Sequence, residues 1–487
     1  MLNGSERPGS LGRAARVVLI ATTALTGTGM HRAVADTMEG ALALAYRNNP
    51  QVNSQRAATR ATDENAGIAL SGYRPQISAT AQMGEQYLDT LTATKTTTTD
   101  PKTGFPVTST TYSRGVGAFA IPSYGLTTKQ TLFNGFQTAS RTRLAEGQIF
   151  AARETLRTTE QTVLLNAATA YMTLLQNAAL LELQRNNVKV LEATLRQTRD
   201  RFTAGEVTRT DLAQAESSLA AGRSSLHGAE SNYITSRSTY VQVIGVEPGK
   251  LTSASPVDRF FPPTLAGALG QAASQNPAIT FAMFNVDAAV EQVKVQESFL
   301  YPTLSLNGSF QKSYGSATNL TGLESLSGSV IGQLTVPIYQ GGAEYANIRQ
   351  AKETLGQRRL DLDTARLSVQ QNVTQSWGQL EAAKAQVDAN TANVTSSEIA
   401  LDGVREEARV GQRTTLDVLN AQQALVLART QLVQSQHDRI VASYAVLAAV
   451  GALEPQVLGL HIETYDPMVH YQQVRDTWIG VRTPDGR

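Results

Sequence analysis

Two aspartates and an arginine, each beside a glycine turn, are the groups in this sequence best placed to do chemistry. In RFTAGEVTRTDLAQAE, Thr208 and Asp211 follow Gly205; in EARVGQRTTLDVLNAQ, Arg413, Thr414 and Asp417 follow Gly411. Thr-x-x-Asp is a capping box, in which the hydroxyl accepts the third backbone N–H of a new helix and the carboxylate reaches back to the cap. Glycine takes the left-handed conformation that closes the incoming helix. By spacing alone the aspartates are helix caps and Arg413 is a solvated turn residue. Gly411 − Gly205, Thr414 − Thr208 and Asp417 − Asp211 all equal 206, so the two turns belong to an internal repeat.

No other stretch carries a reaction. GVEPGK, from Gly245 to Lys250, is one residue short of a phosphate-binding loop and lacks the Ser or Thr after lysine. The five histidines, His437 beside Asp438 among them, show neither metal spacing nor a triad context. Cysteine is absent, which removes disulfides, thiolate metal sites and a cysteine nucleophile. The expectation is no enzyme, no metal and no cofactor. A formal net charge of +1 gives no basic excess for nucleic acid.

The elements that position the turns are long. Ala167, Leu174, Leu181, Val188, Leu195 and Phe202 fall seven apart, and Val373, Leu380, Val387, Val394, Leu401 and Ala408 repeat them 206 positions later. A strict seven-residue period predicts left-handed coiled-coil arms. From Gly135 to Gly205, and from Gly341 to Gly411, is 70 residues, roughly 100 Å of helix. The outgoing arm from Asp211 stops near Gly245, and Pro248, Pro256, Pro262 and Pro263 interrupt the stretch after it. A helix from Thr264 to Ser298 is expected to stack on that half-length arm. Likewise the arm Asp417 to Gly451 should stack beneath an opening helix, Thr37 to Ser71, with the interrupted middle forming a belt.

Residues 1–35 read as a secretory signal: Arg7, Arg13 and Arg16, an apolar run Val17 to Leu25, and Ala33-Val34-Ala35 before Asp36. No cysteine comes after it, so no lipid anchor is expected there, and no later stretch is apolar enough for a spanning helix. Period-2 alternation marks strands at Ile77 to Met83, Val116 to Leu132, Leu304 to Gln311 and Ser329 to Ile338, two hairpins in all. Asn49-Pro50 recurs as Asn276-Pro277 at an offset of 227. The first hairpin is therefore longer by 21 residues, which fall in the Thr-rich stretch Asp89 to Ser113, either an enlarged external loop or a surface insertion without a role. Four strands cannot close a barrel, and an open sheet edge cannot face lipid. Several chains are expected to share one barrel, and three would give 12 strands.

ALALAYRNNP, LFNGFQTASRTRLAE, VPIYQGG, GQRTTLDVLNAQ and VGALEPQVLGL together resemble the TolC family of outer-membrane efflux and secretion channels, across essentially the whole mature length. The resemblance implies a mainly α fold with a small β part: two repeats of long helical hairpins forming a periplasmic tunnel, with four strands per chain in a homotrimeric 12-stranded barrel set in outer-membrane lipid. It divides the chain into a signal at 1–35, a first repeat at 36–263, a second at 264–459 and a tail at 460–487. It implies a periplasmic adaptor and an inner-membrane ABC or proton-coupled pump as partners. At the tips it implies an acidic constriction at Asp417 and the position three further on, and closing contacts among Arg413, a tyrosine before Gly411, and Asp211. Here Asn420 and Ala408 stand at the second carboxylate and the tyrosine. A single Asp417 ring should hold cations less strongly than two rings. The tail YDPMVHYQQVRDTWIG, with Trp478, resembles tails of the type I secretion branch. The alternative class is a secreted coiled-coil structural or adhesive protein, which has no need of strands between its helices.

Overall fold

A computed structural model describes residues 37–314, 324–484 and 486; the expected signal lies outside the described residues. The chain runs α1 (Met38–Asn48), α2 (Pro50–Leu70), β1 (Gln76–Gln82), β2 (Glu85–Thr99), β3 (Pro106–Ala120), β4 (Ser123–Asn134), α3 (Gln137–Thr203), α4 (Arg209–Ile244), α5 (Leu265–Gln275) and α6 (Pro277–Glu297). It continues through β5 (Thr303–Tyr314), β6 (Glu324–Thr335), α7 (Ala343–Arg409), α8 (Thr415–Val450) and α9 (Pro467–Val474). Repetition reaches the element boundaries: α3 and α7 are both 67 residues and begin at 137 and 343, a separation of 206. At 1.5 Å per residue each spans about 100 Å.

Three expectations change. The opening helix and its repeat are each two helices, because proline cannot continue a helix through its missing N–H; the breaks fall at Asn49-Pro50 and Asn276-Pro277, where each asparagine caps the next helix through its Oδ1. The stacking partners are also exchanged. Asn49 Nδ2 donates to the Val243 carbonyl at 2.9 Å, so α4 meets α2, and Asn276 Nδ2 donates to Ala449 at 2.8 Å, so α8 meets α6. The strap after α4 makes this exchange possible by crossing α3, where Tyr171 Oη donates to the Thr252 carbonyl, and reaching α8, where Ser443 Oγ accepts the Val257 N–H. Finally, the Thr-rich stretch is strand: β2 and β3 pair from Glu85↔Ala120 to Thr99↔Pro106, and Ile121-Pro122 breaks the expected strand Val116 to Leu132 into β3 and β4. Threonine is β-branched and suits extended backbone on either face, so a threonine run lacks the apolar alternation by which strands are recognised.

The helices form a wall. Along α3, Arg56 of α2 pairs with Glu160 and Arg223 of α4 with Glu192 on one side. On the other side Gly147 faces Ala288 of α6, and Thr173 meets His437 of α8. Beyond α6 and α8 lies α7, through Lys352 with Glu297 and Arg429 with Glu398. The order is therefore α2/α4, α3, α6/α8, α7. The main core sits mid-wall, where Leu164, Tyr171, Tyr240, Leu380, Leu447 and Leu453 are fully buried and the strap and tail add Phe261 and Leu460. A small second cluster, Val188, Leu191, Leu219 and Leu419, lies nearer the tips. Beyond it the first arm loses cover, with Leu195 half-buried and Phe202 exposed; in the second arm Val387 and Val394 are half-buried while Leu401 stays buried.

Candidate functional site

At the first tip, α3 ends in a Schellman motif. Gly205 has φ +80°, its N–H donates to Phe202 O at 3.0 Å, and the Glu206 N–H donates to Arg201 O at 2.9 Å. The outgoing helix starts three residues later on a complete capping box. Thr208 N–H and Oγ1 both donate to Asp211 Oδ2, at 2.9 and 2.7 Å, and Asp211 N–H donates to Thr208 Oγ1 at 3.3 Å. The second tip repeats this with Gly411 at φ +82°, Gln412 on Glu407 O at 2.9 Å, and Thr414 donating to Asp417 at 3.0 and 2.9 Å. The geometry read from the sequence is present at Gly205, Thr208, Gly411 and Thr414.

The two tips differ in charge arrangement. Arg413 Nε donates to Glu407 Oε2 at 2.7 Å across the second turn. In the first, Arg201 Nε donates to Glu206 Oε2 at 3.1 Å. Glu407 occupies the repeat position of Arg201, so the incoming arm carries the anion at one tip and the cation at the other. Glu407, Arg201 and Glu206 escaped the sequence reading, although setting the copies side by side at 206 exposes the reversal. Within one chain the Arg413 guanidinium is on Glu407, and Asp211 is on Thr208. Asn420 lies one helical turn past Asp417 and is exposed. Hydrogen bonds from the Thr414 N–H and hydroxyl, with Arg413 nearby, hold Asp417 below the usual carboxylate range. Asp211 is lowered likewise, first by the Thr208 hydroxyl and then by its N–H. Both carboxylates are therefore anionic at neutral pH.

At the other end, β1, β4, β5 and β6 form one antiparallel sheet in that order. Ser78, Thr127, Asn307, Ser309, Ser329 and Gln333 share one face, where Ser78 and Thr127 hydroxyls meet at 2.7 Å and Ser309 and Ser329 at 2.8 Å. Ile77, Ala79, Leu126, Phe310, Val330 and Leu334 share the other. Lys312 near the far end of the apolar face is paired with Glu324. Strands of 12 residues, as in β4, β5 and β6, match the length needed to cross a bilayer at a tilt. Last in the sheet are β1 and β6, which come after α2 and before α7, the last members of the helical wall. Among the described residues no helix is long and apolar enough to cross a membrane.

A wall of 100 Å hairpins joined to a two-faced sheet has close counterparts among known proteins. The sequence profile described as "Outer membrane efflux protein" matches residues 41–246 and 268–452. The chain is 41% identical over 482 residues to outer membrane efflux protein BepC of Brucella suis biovar 1, covering 97% of each. It is 28% identical over 324 residues to outer membrane protein TolC of Escherichia coli K12, covering 62% of this chain and 64% of that one. In fold it resembles the Campylobacter jejuni CmeC outer membrane channel, with a TM-score of 0.71 at 16% identity over 90% and 89% of the two chains. These relatives are outer-membrane transport proteins and not enzymes. The chain belongs to the outer membrane efflux protein family, the TolC-like channels of the bacterial outer membrane.

Proposed function

We propose that three copies of this chain form a passive export duct, the outer-membrane outlet of a tripartite efflux or type I secretion system. The observation that carries the reading is the shared edges. Sheet and wall stop on the same two sides, and a β6 edge can pair antiparallel with the β1 edge of a second copy. Closure removes backbone groups that lipid cannot satisfy, and three copies give 12 strands with the hydroxyl-rich face around a lumen. The helical edges match this need: α7 exposes Leu360, Leu367 and Ile399, and the α2/α4 edge exposes Ile68 and Ile234.

Cargo enters from an inner-membrane ABC or proton-coupled pump through a periplasmic adaptor that engages the tips. There Arg413 and Asp211 hold the resting state closed between copies, and Asp417 with Asn420 lines the constriction with one carboxylate per chain. The name of the Brucella relative supports efflux as the cargo class; the Trp478 tail supports protein secretion. The separating experiment compares a deletion strain with its parent for culture-supernatant proteins and for susceptibility to dyes, detergents and antibiotics. Hypersensitivity alone assigns drug efflux, loss of a secreted protein alone assigns type I secretion, and both together assign a shared outlet. A strain unchanged in both respects would contradict the export reading.

A further inference from the structure

The C-terminal tail climbs the wall and turns at the level where helices give way to strands. Its path is fixed by contacts along α1, α2 and the turn after them. The Tyr465 N–H donates to Tyr46 Oη at 3.3 Å, His470 Nδ1 lies 3.1 Å from Asp63 Oδ2, and Arg74 Nη1 donates to the Thr477 carbonyl at 2.7 Å. The Arg74 guanidinium also sits 4.8 Å from the Trp478 ring centre. Arg74 lies between the 3-10 turn Ser71–Tyr73 and β1, so it marks the start of the sheet. Past Trp478 the chain reverses through Gly480, whose φ of +144° suits glycine, and Pro484 lines a cavity with Arg47 and Arg60 lower on the wall. The apex of this U is apolar and uncovered: Trp478 is 67% exposed, Ile479 93% and Val481 99%.

Large exposed aromatics mark the same level at every helix–strand junction: Tyr73 before β1, Phe136 after β4, Tyr301 before β5 and Tyr339 after β6. Such a ring is where a barrel meets the headgroup layer, since aromatic side chains favour that interface. We propose that the apex Trp478-Ile479-Gly480-Val481 inserts into the periplasmic leaflet of the outer membrane, a phospholipid surface, as a tether outside the barrel. Trp478 extends the aromatic ring at its own level. Ile479 and Val481 gain cover that none of the described residues gives them, and Arg74 and Arg482 flank the apex with positive charge for lipid phosphate. Arg475 is engaged with Glu146 at 3.8 Å and Asp476 is exposed, so the positive charge at the apex comes from the other two arginines.

The inference rests on the barrel lying in the outer membrane, and conductance of the same preparation reports barrel insertion separately. The test uses the full-length protein in vesicles of phosphatidylethanolamine and phosphatidylglycerol brominated at carbons 6 and 7 of the acyl chain. Trp377 and Trp478 are the two tryptophans, and Trp377 lies mid-wall against Phe261. An interfacial Trp478 loses emission to the brominated chains, and the quenchable fraction disappears in Trp478→Phe. Quenching of the parent by aqueous iodide but not by bromolipid would place the apex in water and overturn the tether. Quenching by neither would place it under a second copy of the chain and overturn it equally.

Discussion

Asn276 Nδ2 donates a 2.8 Å hydrogen bond to the carbonyl of Ala449, tying the start of α6 to the last turn of α8 across 173 residues. Asn49 repeats the bond on Val243, so each long arm is matched by two shorter helices meeting head to tail. One asparagine satisfies two helix ends at once: its carbonyl caps the helix it begins, and its amide fills a carbonyl left open by the helix it meets.

The two joints are not equally tolerant. A Cβ on Gly451 would stand 2.6 Å from Asn276 Cα, whereas one on Gly245 would meet Asn48 Cβ at 3.6 Å. Both glycines have positive φ, so alanine strains either backbone by about 1–2 kcal/mol. Gly451→Ala adds a backbone collision. Thermal unfolding of the purified protein should show a modest loss for Gly245→Ala and a much larger loss, or failure to assemble, for Gly451→Ala. Equal losses would refute the close fit.

The tip caps should respond to acid. Asp211 and Asp417 are held below the usual carboxylate range, so the stabilisation they give is complete above the ordinary carboxylate pKa of about 4 and is lost as pH falls below it. Hydrogen-exchange protection factors at residues 205–215 and 411–421, corrected for the intrinsic pH dependence of amide exchange, should be alike at neutral and mildly acidic pH and fall only in stronger acid. Thr208→Ala, which removes one cap, should lower local stability at that tip by about 1 kcal/mol and leave the other unchanged.

Much of the wall was legible in the sequence because repetition and heptads are local patterns. The offset of 206 located Gly205, Gly411 and both capping boxes; the offset of 227 paired Asn49-Pro50 with Asn276-Pro277, yet the pattern reads as one continuous helix through each. What failed was partner choice. A capping asparagine announces that a helix begins but not which helix end lies beneath it, and chain continuity suggested the wrong neighbour. The threonine ribbon failed differently, since residues 92–99 are mostly threonine on both faces and carry no period. Contacts between tips of separate copies lie beyond any reading of local pattern.

Asp63 is fully buried on α2, with His470 at 3.1 Å and Arg153 at 3.9 Å. Removing one member of a buried ionic group leaves the others uncompensated, so Asp63→Ala should cost about 3 kcal/mol. His470→Gln, which keeps a hydrogen-bonding side chain, should cost less. Limited proteolysis of the tail is the check: cleavage after Arg475 should rise in Asp63→Ala, and unchanged protection would show that the pair does not hold the tail down.

Asn420→Asp would restore a second carboxylate one turn from Asp417. If both line a constriction, this variant should be blocked by divalent or trivalent cations at lower concentration than the parent, and Asp417→Asn at higher concentration. Block titrations in planar bilayers read the order directly.

Single-channel conductance of the purified protein in planar bilayers tests the central claim most directly. A duct closed at its tips by Arg413 and Asp211 predicts a stable, small resting conductance that rises severalfold in Arg413→Ser and in Asp211→Ala. Absence of any channel, or one conductance shared by the parent and both variants, would contradict it.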